Sequence, residues 1–163
     1  MNHTATRLTA VLMALVMEVS ITACGNADSE RPPEISYGRD ICIECGMIID
    51  DPRFAAIYDL ADGTEKKFDD LGGLVLHGRE HRELETARVW VSDFEQERLI
   101  DAKTAYYVPT LGVVSPMGHG ILAFEEASRA ERLAADLDGE VITWDLVKKL
   151  PVIEGRVGDH HSD

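Results

Sequence analysis

The chain has 163 residues, and its 16 Lys and Arg against 30 Asp and Glu give a formal net charge of -14 at pH 7. Nucleic acids and anionic membranes both require a basic protein surface, so this balance excludes proteins that bind either through their surface. The length suits one ordinary domain with its own core, because two domains would each be very small.

The first predicted element is a secretory signal peptide over residues 1–23. Residues 9–23 form an apolar run that is too short for a comfortable membrane span. Residues 21–24 (Ile-Thr-Ala-Cys) resemble a bacterial lipobox, in which small residues precede a cysteine that is acylated and becomes the new N-terminus. We therefore predict that Cys24 is the lipid attachment site and that the lipid is the only contact with the membrane.

The rest of the chain is predicted to comprise a tether, a folded domain and a tail. Residues 24–40 hold the lipidated N-terminus and a polar stretch with a Pro-Pro pair, which is typical of a flexible linker. The single folded domain is predicted to span 41–153. Residues 154–163 form a polar tail.

The first half of the domain is predicted to contain, in chain order, strands at 54–60 and 64–68, a helix at 71–79 and a strand at 88–93. The first two strands flank Ala-Asp-Gly, which is a hairpin signal. Phe68 and the acid pair at 69–70 open the helix, and we attribute the acids to helix N-terminal charge and turn formation rather than to catalysis or hard-cation binding.

The second half repeats this order, with strands at 102–109 and 119–124, a helix at 127–137, a strand at 140–145 and a closing helix at 145–150. Phe124 and two glutamates open its main helix, as Phe68 and two aspartates open the first. The last strand of each half carries a tryptophan. The sequence thus predicts an α+β fold, with two ββαβ-like pseudo-repeats that form a mostly antiparallel sheet with packed helices.

Sulfur-containing residues precede the helix in both halves. Residues 42–47 read Cys-Ile-Glu-Cys-Gly-Met, and residues 115–120 read Ser-Pro-Met-Gly-His-Gly. Thiolate and thioether donors together select Cu(I) more readily than harder cations. Because the repeat would bring the two loops to one face, the sequence predicts a copper site made from both halves.

The predicted ligands are Cys45, Met47 and Met117. Cys45 and Met47 are two residues apart, so an extended backbone would place both side chains on one face, and Gly46 would leave room for the ion. The proline and glycine that flank Met117 make a core position there unexpected and indicate an exposed turn. Cu(I) is satisfied by two or three such soft donors.

Two further residues have open roles. Cys42 is either another copper ligand or a resolving thiol that forms a disulfide with Cys45 when the site is empty. His119 stands close enough to Met117 to complete or gate the site, although a solvated loop histidine is the alternative. His77 is interpreted as a surface residue. No second Cys or His pair stands at finger-like spacing, so a closed zinc site is poorly supported by the spacing alone.

The chain resembles the NosL family in its lipobox, in residues 42–47 and the Asp-Pro-Arg-Phe-Ala-Ala that follows soon after, in Ser-Pro-Met-Gly and in a distal Gly-Glu-Val-Ile-Thr-Trp-Asp. The resemblance implies a non-enzymatic Cu(I) chaperone with Cys45, Met47 and Met117 as ligands and two ββαβ units. Its implied partners are the nitrous oxide reductase apoprotein and other copper-delivery or accessory proteins. The implied location is a membrane facing the periplasm, and Gly25 resembles lipoproteins of the outer membrane.

Two other classes of function remain open at this stage. A thiol-disulfide redox protein would use Cys42 and Cys45, but a thioredoxin-like pair should start a helix, whereas residues 47–49 are predicted to form a strand. A lipoprotein that only tethers a complex would need neither Cys45 nor Met117. The sequence contains no nucleophile elbow, phosphate loop or zinc-protease signature, so an enzyme is not expected.

Overall fold

The structure is a computed structural model and describes residues 31–151. The predictions of a signal peptide at 1–23, of lipid attachment at Cys24 and of a polar tail at 154–163 lie outside these residues. Within the described part, none of the helices has the length and apolar character that crossing a membrane would require.

The described residues form, in chain order, β1 (Ala56–Asp59), β2 (Glu65–Phe68), α1 (Leu71–Glu80), β3 (Arg88–Ser92), β4 (Leu99–Asp101), β5 (Tyr106–Pro109), β6 (Ile121–Phe124), α2 (Ala127–Asp136) and α3 (Trp144–Val147). The four-stranded sheet has the order β2-β1-β3-β4, and β5 pairs with β6. Every pair within these sheets is antiparallel. The predicted α+β class is confirmed.

The first half has the full ββαβ order, and the second half has ββα followed by a single bridge at Ile142 in place of the last strand. β1 pairs with β2 on one side and with β3 on the other, and β5 likewise pairs with β6 and with an isolated bridge at Ile142. The strands lie in two sheets rather than one, and a parallel bridge between Asp93 and Ala123 joins them. The two halves thus share an order of elements without sharing a sheet. They meet where the end of β3 lies beside β6.

The predicted strand at 140–145 is wrong apart from its bridge at Ile142. Thr143 already caps α3, because its carbonyl accepts hydrogen bonds from the amides of Leu146 and Val147. The tryptophan that the sequence placed in this strand therefore begins the helix. β4, a strand of three residues, was not predicted.

Packing onto the domain begins before the predicted boundary at Ile41. Ile35 is buried, and the Gly38 amide donates to the Ile49 carbonyl at 2.8 Å. Asp40 pairs with Lys67 of β2 at 2.7 Å. At least the last part of the segment that the sequence assigns to the tether is therefore held against the first sheet.

The placement of α1 decides where the site lies. Leu71, Leu74 and Val75 are buried at helical spacing in the larger hydrophobic cluster, so this face of α1 covers the four-stranded sheet. Only Asp69 and Asp70 separate the end of β2 from the start of the helix. Both acids are buried, at 3% and 1% exposure, and they stand at the helix N-terminus.

Candidate metal centre

The cysteine pair lies in a closed turn next to β2. An antiparallel bridge between Ile41 and Ile48 closes the loop, and within it the Cys42 amide donates to the Met47 carbonyl at 2.8 Å. The Gly46 amide donates to the Cys42 carbonyl at 2.9 Å. The Ile43 amide attaches the turn to β2 through the Lys67 carbonyl at 3.0 Å. Both thiols thus belong to one hydrogen-bonded turn.

Gly46 has a backbone role that differs from the predicted one. Its φ is 75°, a left-handed conformation that L side chains rarely adopt, and a Cβ there would meet nothing within 4 Å. The glycine is therefore needed for the turn, and its role in leaving room for an ion stays a prediction. The backbone is not extended between Cys45 and Met47, so the predicted reason for their shared face does not hold. Met47 is 48% exposed, and its role as a ligand stays a prediction.

The two thiols have different environments. Cys42 is fully buried, and burial raises the pKa of its thiol to about 12. Burial also raises the pKa of the half-buried Cys45 thiol. Both groups therefore stay protonated near neutral pH in the metal-free protein, and a bound ion must displace their protons.

Asp69 completes a group of three metal-ligating side chains. The Sγ atoms of Cys42 and Cys45 and a carboxylate oxygen of Asp69 all lie within 4.8 Å of one another. The Cys45 thiol donates to Asp69 Oδ2 at 3.3 Å. The sequence interpretation missed this residue, because it explained the acid pair by the helix dipole. The sequence did contain one signal, because only two residues separate the predicted strand from the predicted helix. Acids in so short a connection are expected to be buried.

Asp70 connects the second sulfur motif to the first half of the chain. Its Oδ1 caps α1 by accepting from the Gly72 amide at 2.7 Å. Its Oδ2 accepts from the Ser115 hydroxyl and from the Met117 amide, the latter at 3.1 Å. The Ser115 oxygen in turn accepts from the Gly120 amide at 2.9 Å. One buried carboxylate therefore fixes both the helix and the methionine loop, another role that sequence reasoning missed.

Met117 packs on α1 beside the cysteine turn. A Cβ built at Gly73 would lie 2.6 Å from Met117 Sδ and 3.8 Å from the Cβ of Glu44, which stands between the two cysteines. Met117 and Cys45 both pack against the larger hydrophobic cluster, which includes Cys42. Met117 is half-buried rather than exposed as predicted. The structure thus brings the two sulfur loops to the same end of α1.

We predict that Gly73→Ala displaces the Met117 thioether. The new methyl group would lie 2.6 Å from Sδ, a distance that real contacts essentially never show, so the flexible side chain must move. Alanine favours a helix interior by about 1 kcal/mol over glycine, so the helix itself should not be weakened. We expect lower Cu(I) affinity in a chelator-competition titration with little change in thermal stability. Unchanged affinity would show that Cu(I) binding does not depend on the position of the Met117 thioether.

Gly63→Ala provides a control, because it adds the same methyl group in the β1–β2 turn with nothing within 4 Å. Its φ of 85° makes that substitution strained, so it should lower stability and leave Cu(I) affinity unchanged. The two variants thus separate loss of the site from loss of the fold.

His119 packs against the start of α1. A Cβ at Gly72 would lie 2.2 Å from its ring, so the imidazole packs directly on the first turn of α1. Its Nε2 is buried without a hydrogen-bond partner among the described residues. The ring also lines a cavity of about 310 Å³, together with Pro109, Thr110, Leu111, Ile121, Leu150 and Pro151. The cluster of three donors does not include this histidine, and its predicted role stays open.

A polar network behind the turn holds Glu44 in place. Glu44 Oε2 lies 2.9 Å from His77 Nδ1, and the other ring nitrogen lies 3.4 Å from Lys66 Nζ. Lys66 pairs with Glu83 at 2.8 Å, and the Tyr58 hydroxyl donates to the same carboxylate. His77 is buried, so its interpretation as a surface residue is wrong. The network joins the cysteine turn to α1.

Comparisons with known proteins found a matching family, a similar chain and a similar fold. The family model described as NosL matches residues 35–151. The chain is 26% identical to the copper-binding lipoprotein NosL of Stutzerimonas stutzeri, over 91% of this chain and 85% of that protein. Its fold is similar to the crystal structure of the copper chaperone NosL from Shewanella denitrificans, with a TM-score of 0.58 and 21% identity over 70% of this chain and 96% of the other.

Proposed function

The chain belongs to the NosL family, and we propose that it is an exported, lipid-anchored protein that binds Cu(I) and delivers it for assembly of the copper centres of nitrous oxide reductase. The proposal makes it a carrier and not an enzyme. Its ligands are Cys45, Met47 and Met117, with Cys42 beside them.

The observation that carries the proposal is the convergence of the two sulfur loops at the start of α1. Met117 Sδ and Glu44 Cβ both approach Gly73, and Glu44 lies inside the cysteine turn. Asp70 holds the methionine loop there through its contact with the Met117 amide. Loops far apart in sequence thus meet at the same end of α1, and their thiols and thioether together make a donor set that selects Cu(I).

The geometry also suits release of the ion. The Met47 side chain is half exposed to solvent. Three neighbouring apolar side chains of the turn are exposed as well, namely Ile41, Ile43 and Ile48. A partner can therefore reach the ion from the Met47 side without unfolding the domain. Replacement of one thioether by a stronger ligand from the partner would transfer copper stepwise.

The redox alternative is less well supported. A disulfide oxidoreductase requires a thiolate with a lowered pKa, commonly at a helix N-terminus. Here burial raises the pKa of both thiols, and the pair lies in a turn closed by Ile41 and Ile48. A purely tethering protein would not require a buried carboxylate that positions Met117.

The test is anaerobic titration of the reduced protein with Cu(I), followed by X-ray absorption spectroscopy at the copper edge. We expect one ion per chain with a coordination shell of two or three sulfur atoms. A shell dominated by nitrogen and oxygen would refute the proposed site. Transfer is tested by mixing the copper-loaded protein with apo nitrous oxide reductase and following the absorption of the reductase centres.

Met117→Leu should lower Cu(I) affinity without abolishing binding. Leucine has a similar volume and keeps the packing on Gly73, so the substitution removes the thioether alone. Because copper binds the folded form, the rise in melting temperature that Cu(I) produces should also shrink. Chelator competition and thermal unfolding with and without Cu(I) measure both effects. If neither changes, Met117 is only a packing residue.

A further inference from the structure

The cysteine turn contains a buried carboxylate that the proposed copper chemistry does not use. Glu44 lies between Cys42 and Cys45, and its side chain is 13% exposed. A buried carboxylate is costly without a hydrogen-bond partner. Its partner is His77 of α1, whose side chain is 10% exposed and whose Nδ1 lies 2.9 Å from Glu44 Oε2. The turn is thus joined to the helix by a hydrogen bond from which water is largely excluded.

Lys66 determines which ring nitrogen of His77 donates to Glu44. A lysine ammonium group has donors only, so His77 Nε2, which lies 3.4 Å from Lys66 Nζ, is the acceptor. The ring hydrogen is then on Nδ1, where it faces the carboxylate of Glu44. Lys66 is itself held by the two carboxylate oxygens of Glu83, each at 2.8 Å. The protein therefore orients this ring without the help of a bound metal.

Glu44 is also the residue of the turn that meets α1 beside Met117. A Cβ built at Gly73 would lie 3.8 Å from the Cβ of Glu44 and 2.6 Å from Met117 Sδ. The two side chains therefore approach the same point of the helix from opposite halves of the chain. Where Glu44 is held decides how close the thiols of the turn come to the thioether.

The hydrogen bond between Glu44 and His77 can persist when copper binds. The Cys45 thiol donates to Asp69 at 3.3 Å, but a bound ion displaces the proton of that contact. The Ile43 amide attaches the turn to β2 and not to α1. The pair of Glu44 and His77 contains no proposed ligand, so metal binding removes none of its atoms.

We propose that His77 is a positioning residue of the copper site, which acts through Glu44 to hold the cysteine turn where its thiols and the Met117 thioether can bind one ion. The inference rests on the proposed function. It differs from a general effect on the fold, because loss of the hydrogen bond should separate the turn from Met117 while every ligand is kept.

Two substitutions at His77 distinguish its two nitrogens. Asparagine places an amide nitrogen where Nδ1 stands and can still donate to Glu44, whereas glutamine reaches the position of Nε2 and leaves Glu44 without that donor. We expect His77→Gln to weaken Cu(I) binding about 10-fold, the lower end of the loss for groups around a metal ligand, and His77→Asn less than about 3-fold. Chelator competition on the reduced full-length protein measures both. Equal losses in the two variants would overturn the inference.

His81→Asn is the matched control on the next turn of α1. It removes a ring that stacks on His77 at 4.0 Å but makes no contact with Glu44 through its ring nitrogens, since His81 Nδ1 lies 2.9 Å from the His77 carbonyl. Its Cu(I) affinity should equal that of the wild type. If His81→Asn loses as much affinity as His77→Gln, the effect belongs to the packing of the helix and the inference is wrong.

A double-mutant cycle separates positioning from a structural role. If His77→Gln releases the turn from Met117, the thioether no longer contributes, so the variant that combines it with Met117→Leu should lose little more affinity than the weaker-binding single variant. A merely structural role would make the two losses additive, and additivity would overturn the inference. If His77→Gln does not fold, Glu44→Met, which removes the acceptor of the same hydrogen bond, takes its place in the cycle.

Amide hydrogen exchange of the metal-free protein tests the anchor without copper. The Cys42 and Gly46 amides donate within the turn, and they should exchange faster in His77→Gln than in the wild type and in His77→Asn. Unchanged exchange in His77→Gln would overturn the inference. Faster exchange in that variant, together with a wild type that does not bind Cu(I), would refute the proposed function alone.

Discussion

Cys45→Ser is expected to abolish tight Cu(I) binding, with a loss of affinity well beyond the roughly 10- to 100-fold typical of residues around a ligand. Cys45 is the half-buried thiol of the turn, two residues before Met47. The thioethers of Met47 and Met117 are weaker donors and cannot replace a thiolate. Competition with a chromophoric Cu(I) chelator under reducing conditions measures the change.

Cys42→Ser provides the comparison within the same turn. Cys42 is fully buried, and we expect its loss to weaken Cu(I) binding far less than loss of Cys45. The thermal stability of both metal-free variants should be recorded, so that loss of the fold is not mistaken for loss of a ligand. An equal loss of affinity would indicate a symmetric dithiol site and would favour the redox alternative.

Asp70→Ala is expected to destabilise the metal-free protein by about 3 kcal/mol. Loss of the cap on the Gly72 amide contributes about 1 kcal/mol. The Ser115 hydroxyl and the Met117 amide would also lose their acceptor, and a buried donor left unpaired costs about 1–3 kcal/mol. Because the methionine loop is released, Cu(I) affinity should fall although no ligand is removed. Urea unfolding and chelator competition measure the two effects.

The second half of the repeat supplies a matched control at the equivalent position. Glu126 is the N-cap of α2, but its side chain makes no capping hydrogen bond. Glu126→Ala should therefore change the free energy of unfolding by less than about 0.5 kcal/mol. If both alanine variants lose similar stability, Asp70 acts only through helix charge. Its hydrogen bond to the Met117 amide would then contribute nothing to the free energy of unfolding.

The sequence predicted the elements whose local signals are strong. Phe68 and Phe124, each followed by two acids, located the starts of α1 and α2, and both helices end within one residue of the predicted position. β4 has only three residues and no hairpin signal of its own. The strand predicted at 140–145 failed because Thr143 caps a helix at once, and β-rich composition over so short a window does not decide between the two.

The sequence predicted the parts of the candidate site that depend on residue type alone. It did not predict the parts that depend on tertiary contacts. The sulfur residues identified both loops, and the repeat indicated that they meet. Asp69 and Asp70 carry the same side chain, yet one faces two thiols and the other a loop from the far half of the chain. Helix N-terminal charge explains such a pair equally well from sequence alone, so only the packed structure separates the two roles.

The glycines of α1 have a consequence for the order of folding. Gly72, Gly73 and Gly78 each lower intrinsic helix propensity by about 1 kcal/mol relative to alanine, and a helix of this length is marginal in isolation. α1 should therefore form only when the sheet and the methionine loop close around it. An incompletely folded chain would contain all its sulfur atoms but not their arrangement, so native copper loading should follow cooperative folding rather than precede it.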